Sequence, residues 1–233
     1  DIATKNTDEK ETQVLITLQD EAKKKTPKIL TPKETILEQK REVSLKEEKD
    51  NNRYYVYVKG EVVLTTDSVS DAIIAANSQM GVVIGENQQY VWKRSRKTAQ
   101  AAFNDIVVGE EDSGAGSIAQ CVNAILEKEE INISVSALIS QGETPKQILL
   151  NTLKDATVLD LTGCTVDEIL YYVSNGYPVF AMTGSSDAVL VVGYDANNVV
   201  LYDPAMGQTY KRTTADADEM FFNAGNIFFT YQK

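Results

Sequence analysis

Between residues 53 and 95 the apolar residues fall in short runs separated by turn formers. Tyr54-Tyr55-Val56-Tyr57-Val58 reads as a strand, and Lys59-Gly60 gives a tight turn into a second, Glu61-Val62-Val63-Leu64. Ser68 or Asp67 is placed to cap a helix through about Ser78, with Ala72, Ile73 and Ala76 on its apolar face. Gly81-Val82-Val83-Ile84 and Gln89-Tyr90-Val91-Trp92 then predict a hairpin around Gly85-Glu86-Asn87-Gln88. Trp92 and the tyrosines are expected mainly in the core of this small sheet, because each ring buries a large area.

From residue 96 the period is first helical. Ile118, Cys121, Val122 and Ile125 recur at helical spacing and predict a helix over 114–129. Pro145 opens a second helix through about Lys154. Thr157-Val158-Leu159-Asp160 is a short strand. Thr165 caps a helix over Val166 to Ser174, with Asp167 and Glu168 in its first turn and Asn175-Gly176 as its stop. The pattern then becomes strand-like: Pro178 to Met182, Ala188 to Tyr194, Val199 to Tyr202, Gln208 to Lys211 and Ile227 to Tyr231. Turns fall at 195–198 and 204–207. Helices followed by a mostly antiparallel sheet make an α+β domain over 96–233, preceded by a small α+β unit over 53–95.

Residues 1–52 follow neither period. They hold 11 Lys/Arg and 12 Asp/Glu, and Thr-Pro-Lys occurs twice within 26–33. Such composition predicts a charged stalk or linker, partly helical over Glu11 to Lys24 and Lys33 to Val43. An arm packed on the body or on a partner is the alternative. The acidic excess lies downstream, where 22 acids face 12 bases, and the whole chain of 233 residues carries −11. That balance argues against nucleic acid and against an anionic membrane surface as partners. No run reaches the ~18 apolar residues of a membrane span. No signal peptide is visible, and a start at Asp1 without Met is expected of a trimmed or mature form.

Candidate chemistry is bounded first by composition: the chain contains no histidine and only two cysteines, Cys121 and Cys164. Two distant thiols without imidazole give little support for a metal site or a disulfide scaffold, so neither metal nor cofactor is expected. Cys121 shares a helix face with Ile118 and Ile125, which reads as core packing. Cys164 stands beside a helix N-cap, a position that lowers thiol pKa, but it too lacks an imidazole. The carboxylates Asp216, Asp218 and Glu219 read as helix-start and solvent-facing charges rather than an acid/base pair. Gly114-Ala115-Gly116 lacks the strand-first context of a dinucleotide site, and no phosphate loop or Ca²⁺ loop is found.

Several spaced segments carry a resemblance. They are Tyr177-Pro178-Val179-Phe180-Ala181, then Ser186-Asp187 followed by apolar residues and Gly193-Tyr194-Asp195, then Tyr202-Asp203-Pro204, with Ser113-Gly114-Ala115-Gly116-Ser117-Ile118 upstream. Over about 104–233 the chain resembles the bacteriocin-processing (double-glycine leader peptidase-like) branch of the papain-like cysteine peptidases. The resemblance implies a papain-like fold and a bacterial extracellular or cell-surface setting. It also implies that Ser113 stands at the nucleophile's place, Asp187 at the histidine's and Asp203 at the place of the residue that orients the imidazole. The family's oxyanion-hole Gln would fall near Val107, which cannot donate.

Three of the four catalytic functions are therefore absent by resemblance. A thiol nucleophile of this type needs an imidazole to form its thiolate and to protonate the leaving group. The expectation is a catalytically inactive peptidase-like domain that binds a peptide or protein. Asp112, Gly114 and Ser186 are candidates for lining its cleft. Two alternatives stand beside it: an active peptidase or acyl transferase using Cys164 or Ser113 (a Ser113–Lys dyad included), and a structural module of a larger surface assembly.

Overall fold

The computed structural model describes residues 52–94 and 115–233. Two strands, β1 (Tyr54–Val58) and β2 (Glu61–Thr66), form a hairpin whose turn residues Lys59 and Gly60 both have positive φ, 53° and 88°. That pair of angles suits a two-residue turn matched to strand twist. Next come α1 (Val69–Ser78), β3 (Val82–Gly85) and β4 (Tyr90–Lys93), giving a four-stranded sheet in the order β2-β1-β3-β4. Ser68 caps α1 by accepting from the Asp71 amide at 3.2 Å. Alternation splits the aromatic residues of this sheet. Tyr54 and Trp92 lie in the core with Val56 and Val83, whereas Tyr55 and Tyr57 are half-buried and Tyr90 is exposed. The expectation of aromatic core residues thus holds for one face of the sheet only.

The remaining elements are α2 (Ser117–Lys128), α3 (Val135–Ser140), α4 (Pro145–Thr152), β5 (Thr157–Asp160), α5 (Val166–Ser174), β6 (Val179–Met182), β7 (Ala188–Tyr194), β8 (Asn198–Asp203), β9 (Gln208–Thr213), α6 (Thr214–Asn223) and β10 (Phe228–Gln232). Six strands form a sheet in the order β5-β10-β6-β7-β8-β9, with antiparallel neighbours throughout. All seven residues of β7 are buried, because both of its faces are covered. Ala188, Leu190 and Val192 face Ile125, Leu126 and Leu149 of α2 and α4. Val189 and Val191 share the opposite core with Ile169 and Tyr172 of α5, Phe221 of α6, and Trp92 and Ile73 of the small sheet and its helix. The architecture is α+β, with helices on both faces of a mixed-length antiparallel sheet.

Residues 53–94 therefore share a core with the larger sheet. Trp92 Nε1 donates to the Glu168 carbonyl at 2.8 Å, and Asn77 Nδ2 donates to the Glu168 carboxylate at 2.9 Å. The α2 helix starts at Ser117 with Gly116 as N-cap, three residues later than the sequence pattern predicts. The α4 helix ends at Thr152 rather than near Lys154. The short α3 was not predicted at all; residues 1–51 of the expected charged segment lie outside the described residues.

Candidate functional site

At the first turn of α2 the N-cap is Gly116, which has no side chain to cap the exposed amides. Ser117, the first helical residue, reaches across to the start of β7. Its Oγ accepts from the Ala188 amide at 3.1 Å and donates to Asp187 Oδ1 at 3.4 Å. Asp187 closes the exposed β6–β7 turn, where the Thr183 amide donates to its carbonyl at 2.8 Å. A carboxylate is thus held beside a helix N-terminus, the end at which negative charge is favoured. Ser186 is exposed in the same turn.

Asp203 is the last residue of β8. Leu190 pairs with Tyr202, so Asp203 falls beside Val189, two residues along β7 from Asp187. Its Oδ1 accepts from the Ala205 and Met206 amides at 2.9 and 3.4 Å. The carboxylate is engaged in its own turn, the ordinary use of Asp at such a position.

Both thiols are fully buried. Burial pushes the Cys121 thiol well up, and the nearby Asp203 charge adds to it. Burial likewise pushes Cys164 up, followed by the charges of Glu168, Asp160 and Asp71. The helix N-terminus beside Cys164 was expected to lower its pKa. The structure corrects this: desolvation and three carboxylates act on the anion in the opposite direction. Neither thiol has the exposed, electropositive surroundings of a reactive cysteine.

The structure brings together Asp187, Ser186 and, through strand register, Asp203. Ser113, Gly114, Asp112 and Val107 lie outside the described residues. Ser117 does the joining, although in sequence it is only the fifth residue of a motif; no periodicity distinguishes the hydroxyl that meets a strand from one that meets water. Among the described residues no group of three or more Cys, Asp or Glu side chains is placed to hold a metal ion. No described helix is long and apolar enough to cross a membrane. A cavity of about 320 Å³ opens between the β3–β4 turn and the ends of β5 and β10, with Arg53, Gln89, Tyr90, Leu159 and Gln232 among its walls.

No protein-family model matches the chain, and no curated protein matches it. Among solved structures, a Bacillus anthracis protein provisionally assigned as a C39-like peptidase superposes with a TM-score of 0.45 at 14% identity, covering 57% of this chain and 98% of that one.

Proposed function

We propose that the chain carries a catalytically inactive, cysteine-peptidase-like domain with a papain-like fold. In this reading its former substrate cleft, between the start of α2 and the β6–β7 turn, binds a peptide or protein at a bacterial cell surface. The observation that carries the loss of chemistry is the carboxylate of Asp187 beside Ser117 at the α2 N-terminus, in a chain without histidine. A carboxylate there disfavours any thiolate or alkoxide formed close by, since like charge opposes the anion a nucleophile must become. The buried thiols give no alternative nucleophile. The surface setting and the peptide ligand rest on the motif resemblance, and the acidic balance is compatible with both.

Incubation of the pure protein with a library of internally quenched peptides, and separately with a serine- and thiol-directed acyl probe, tests the reading. No turnover and no stoichiometric labelling is expected. Turnover abolished by Ser113→Ala or by Cys164→Ala would overturn it in favour of an atypical hydrolase. Peptides retained by the wild type and released by Ser186→Arg would locate binding in the cleft; a Ser186→Arg variant that retains them unchanged would count against the cleft.

A further inference from the structure

The α2–β7 site leaves the opposite end of the molecule unexplained. β2 is the outermost strand in the order β2-β1-β3-β4, so among the described residues one side of its main chain has no sheet neighbour. Five of its six residues are exposed, with Val62, Val63 and Leu64 at 48, 47 and 37%. A bulge opposite Val56 and Tyr57 makes Val63 the extra residue of the hairpin. An open strand edge is a template for another strand, and proteins commonly guard it with charge. Among the described residues the outer strand β9 carries two internal charges, Lys211 and Arg212, whereas β4, β5 and β2 each carry one at an end, Lys93, Asp160 and Glu61. The run Val62 to Thr66 has no charged residue.

Charge at the two ends says what would fit. Glu61 begins β2, Asp67 follows it, and Asp71 lies in the first turn of α1; all three are exposed. Lys59, in the β1–β2 turn, offsets one of them. We infer that the β2 edge is a docking site for an extended segment of a partner polypeptide, with β-branched residues at its centre and Lys or Arg at its ends, added as a fifth strand. A second copy of this chain fits less well. Two copies would each bring −11 to the contact. One six-residue strand pair also buries far less than the roughly 1,200 Å² of a stable dimer. A free segment avoids both constraints, because main-chain hydrogen bonds give it affinity and alternate side chains give it specificity. This inference does not depend on the peptidase-like reading, since β2 packs on β1 and α1 rather than on α2 or β7.

The test is fluorescence anisotropy of a labelled eight-residue peptide, alternating Val and Thr flanked by Lys, titrated with the full chain at low salt. Saturable binding is expected, weakened at least tenfold by Val63→Lys and by Val62→Lys, weakened by added salt, and lost when every peptide amide is N-methylated. Both substituted positions are exposed, so unchanged far-UV circular dichroism accompanies the loss. Absence of saturable binding would overturn the inference, as would binding indifferent to these substitutions or to N-methylation. Sedimentation showing a dimer of the unliganded chain that Val63→Lys dissolves would assign the edge to a second copy instead.

Discussion

A single side chain decides the chemistry at Cys164. Its sequence position, one residue before a helix N-cap, is one where a dipole assists a thiolate; its environment removes that benefit. With both thiols shifted upward, the thiolate fraction near pH 7.5 is very small. Iodoacetamide at that pH is expected to leave Cys121 and Cys164 unmodified in the native protein and to alkylate both in guanidinium, read by intact mass. Rapid native alkylation of Cys164 would show that the pocket opens. The same scale governs rescue. If the motif resemblance places them correctly, Ser113→Cys with Asp187→His restores a thiol and an imidazole, while Val107, at the place of the oxyanion-hole Gln, offers no side-chain donor. A missing donor costs about 10²–10³ in turnover, so the double variant is expected to hydrolyse peptides weakly at best. Robust turnover would mean that another donor faces the site. Spaced motifs single out Ser113, Asp187 and Asp203 in the sequence; Asp187 stands beside the start of α2, and Ser113 lies outside the described residues. The burial of Cys164 was not, because local pattern does not reveal what the rest of the fold lays over a helix end.

Elements were legible in proportion to the local signals that bound them. The α5 helix has a capping box from Thr165 and Glu168 and a Gly176 at φ 85°, and its predicted limits match the structure. The α4 helix has Thr144, Gln147 and Pro145 at its start. The six residues of α3 have no side-chain cap bond and are too few to establish a period, so nothing local announced them. The link between α2 and β10 was equally invisible, because it is made by residues about a hundred positions apart. Tyr231 OH donates to Glu129, whose carboxylate also pairs with Lys128 at 3.2 Å and with Lys233. Burial alone would raise the Glu129 pKa. Hydrogen bonds from Lys233, Tyr231 and Lys128 outweigh it, and the net shift is downward. A carboxyl depressed on folding contributes stability above its unfolded pKa and loses it as pH falls through the folded value. Glu129→Gln is therefore expected to cost about 1–2 kcal/mol at neutral pH. The difference from wild type should shrink as pH falls below the ordinary carboxylate range. Denaturant melts at pH 7 and pH 3 check this; a pH-independent difference would make the role one of packing.

At the scale of the whole molecule the question is whether the four-stranded sheet unfolds with the six-stranded one. Sequence organisation places a small unit beside a larger domain, and composition contains nothing that would join them. The structure joins them through Glu168, the one charged residue among the described residues that is buried. Its carboxylate accepts from Asn77 and from the Thr165 amide, while Arg94 donates to Asn77 Oδ1 at 2.7 Å. Its carbonyl accepts from the chain's single tryptophan, Trp92. That circumstance supplies a probe, because Trp92 fluorescence reports the small sheet while far-UV circular dichroism is weighted towards the larger one. Coincident transitions in both signals are expected for one cooperative unit. Glu168→Ala removes the acceptor of the Asn77 amide and of the Thr165 N–H, two part-buried hydrogen bonds to a carboxylate whose loss together costs about 1–3 kcal/mol. The variant is expected to lower both transitions together while keeping them superimposed. A fluorescence transition that separates from the dichroism transition already in the wild type would show that the small sheet opens alone. The β2 edge would then be presented by a semi-independent module rather than by a rigid face of the body.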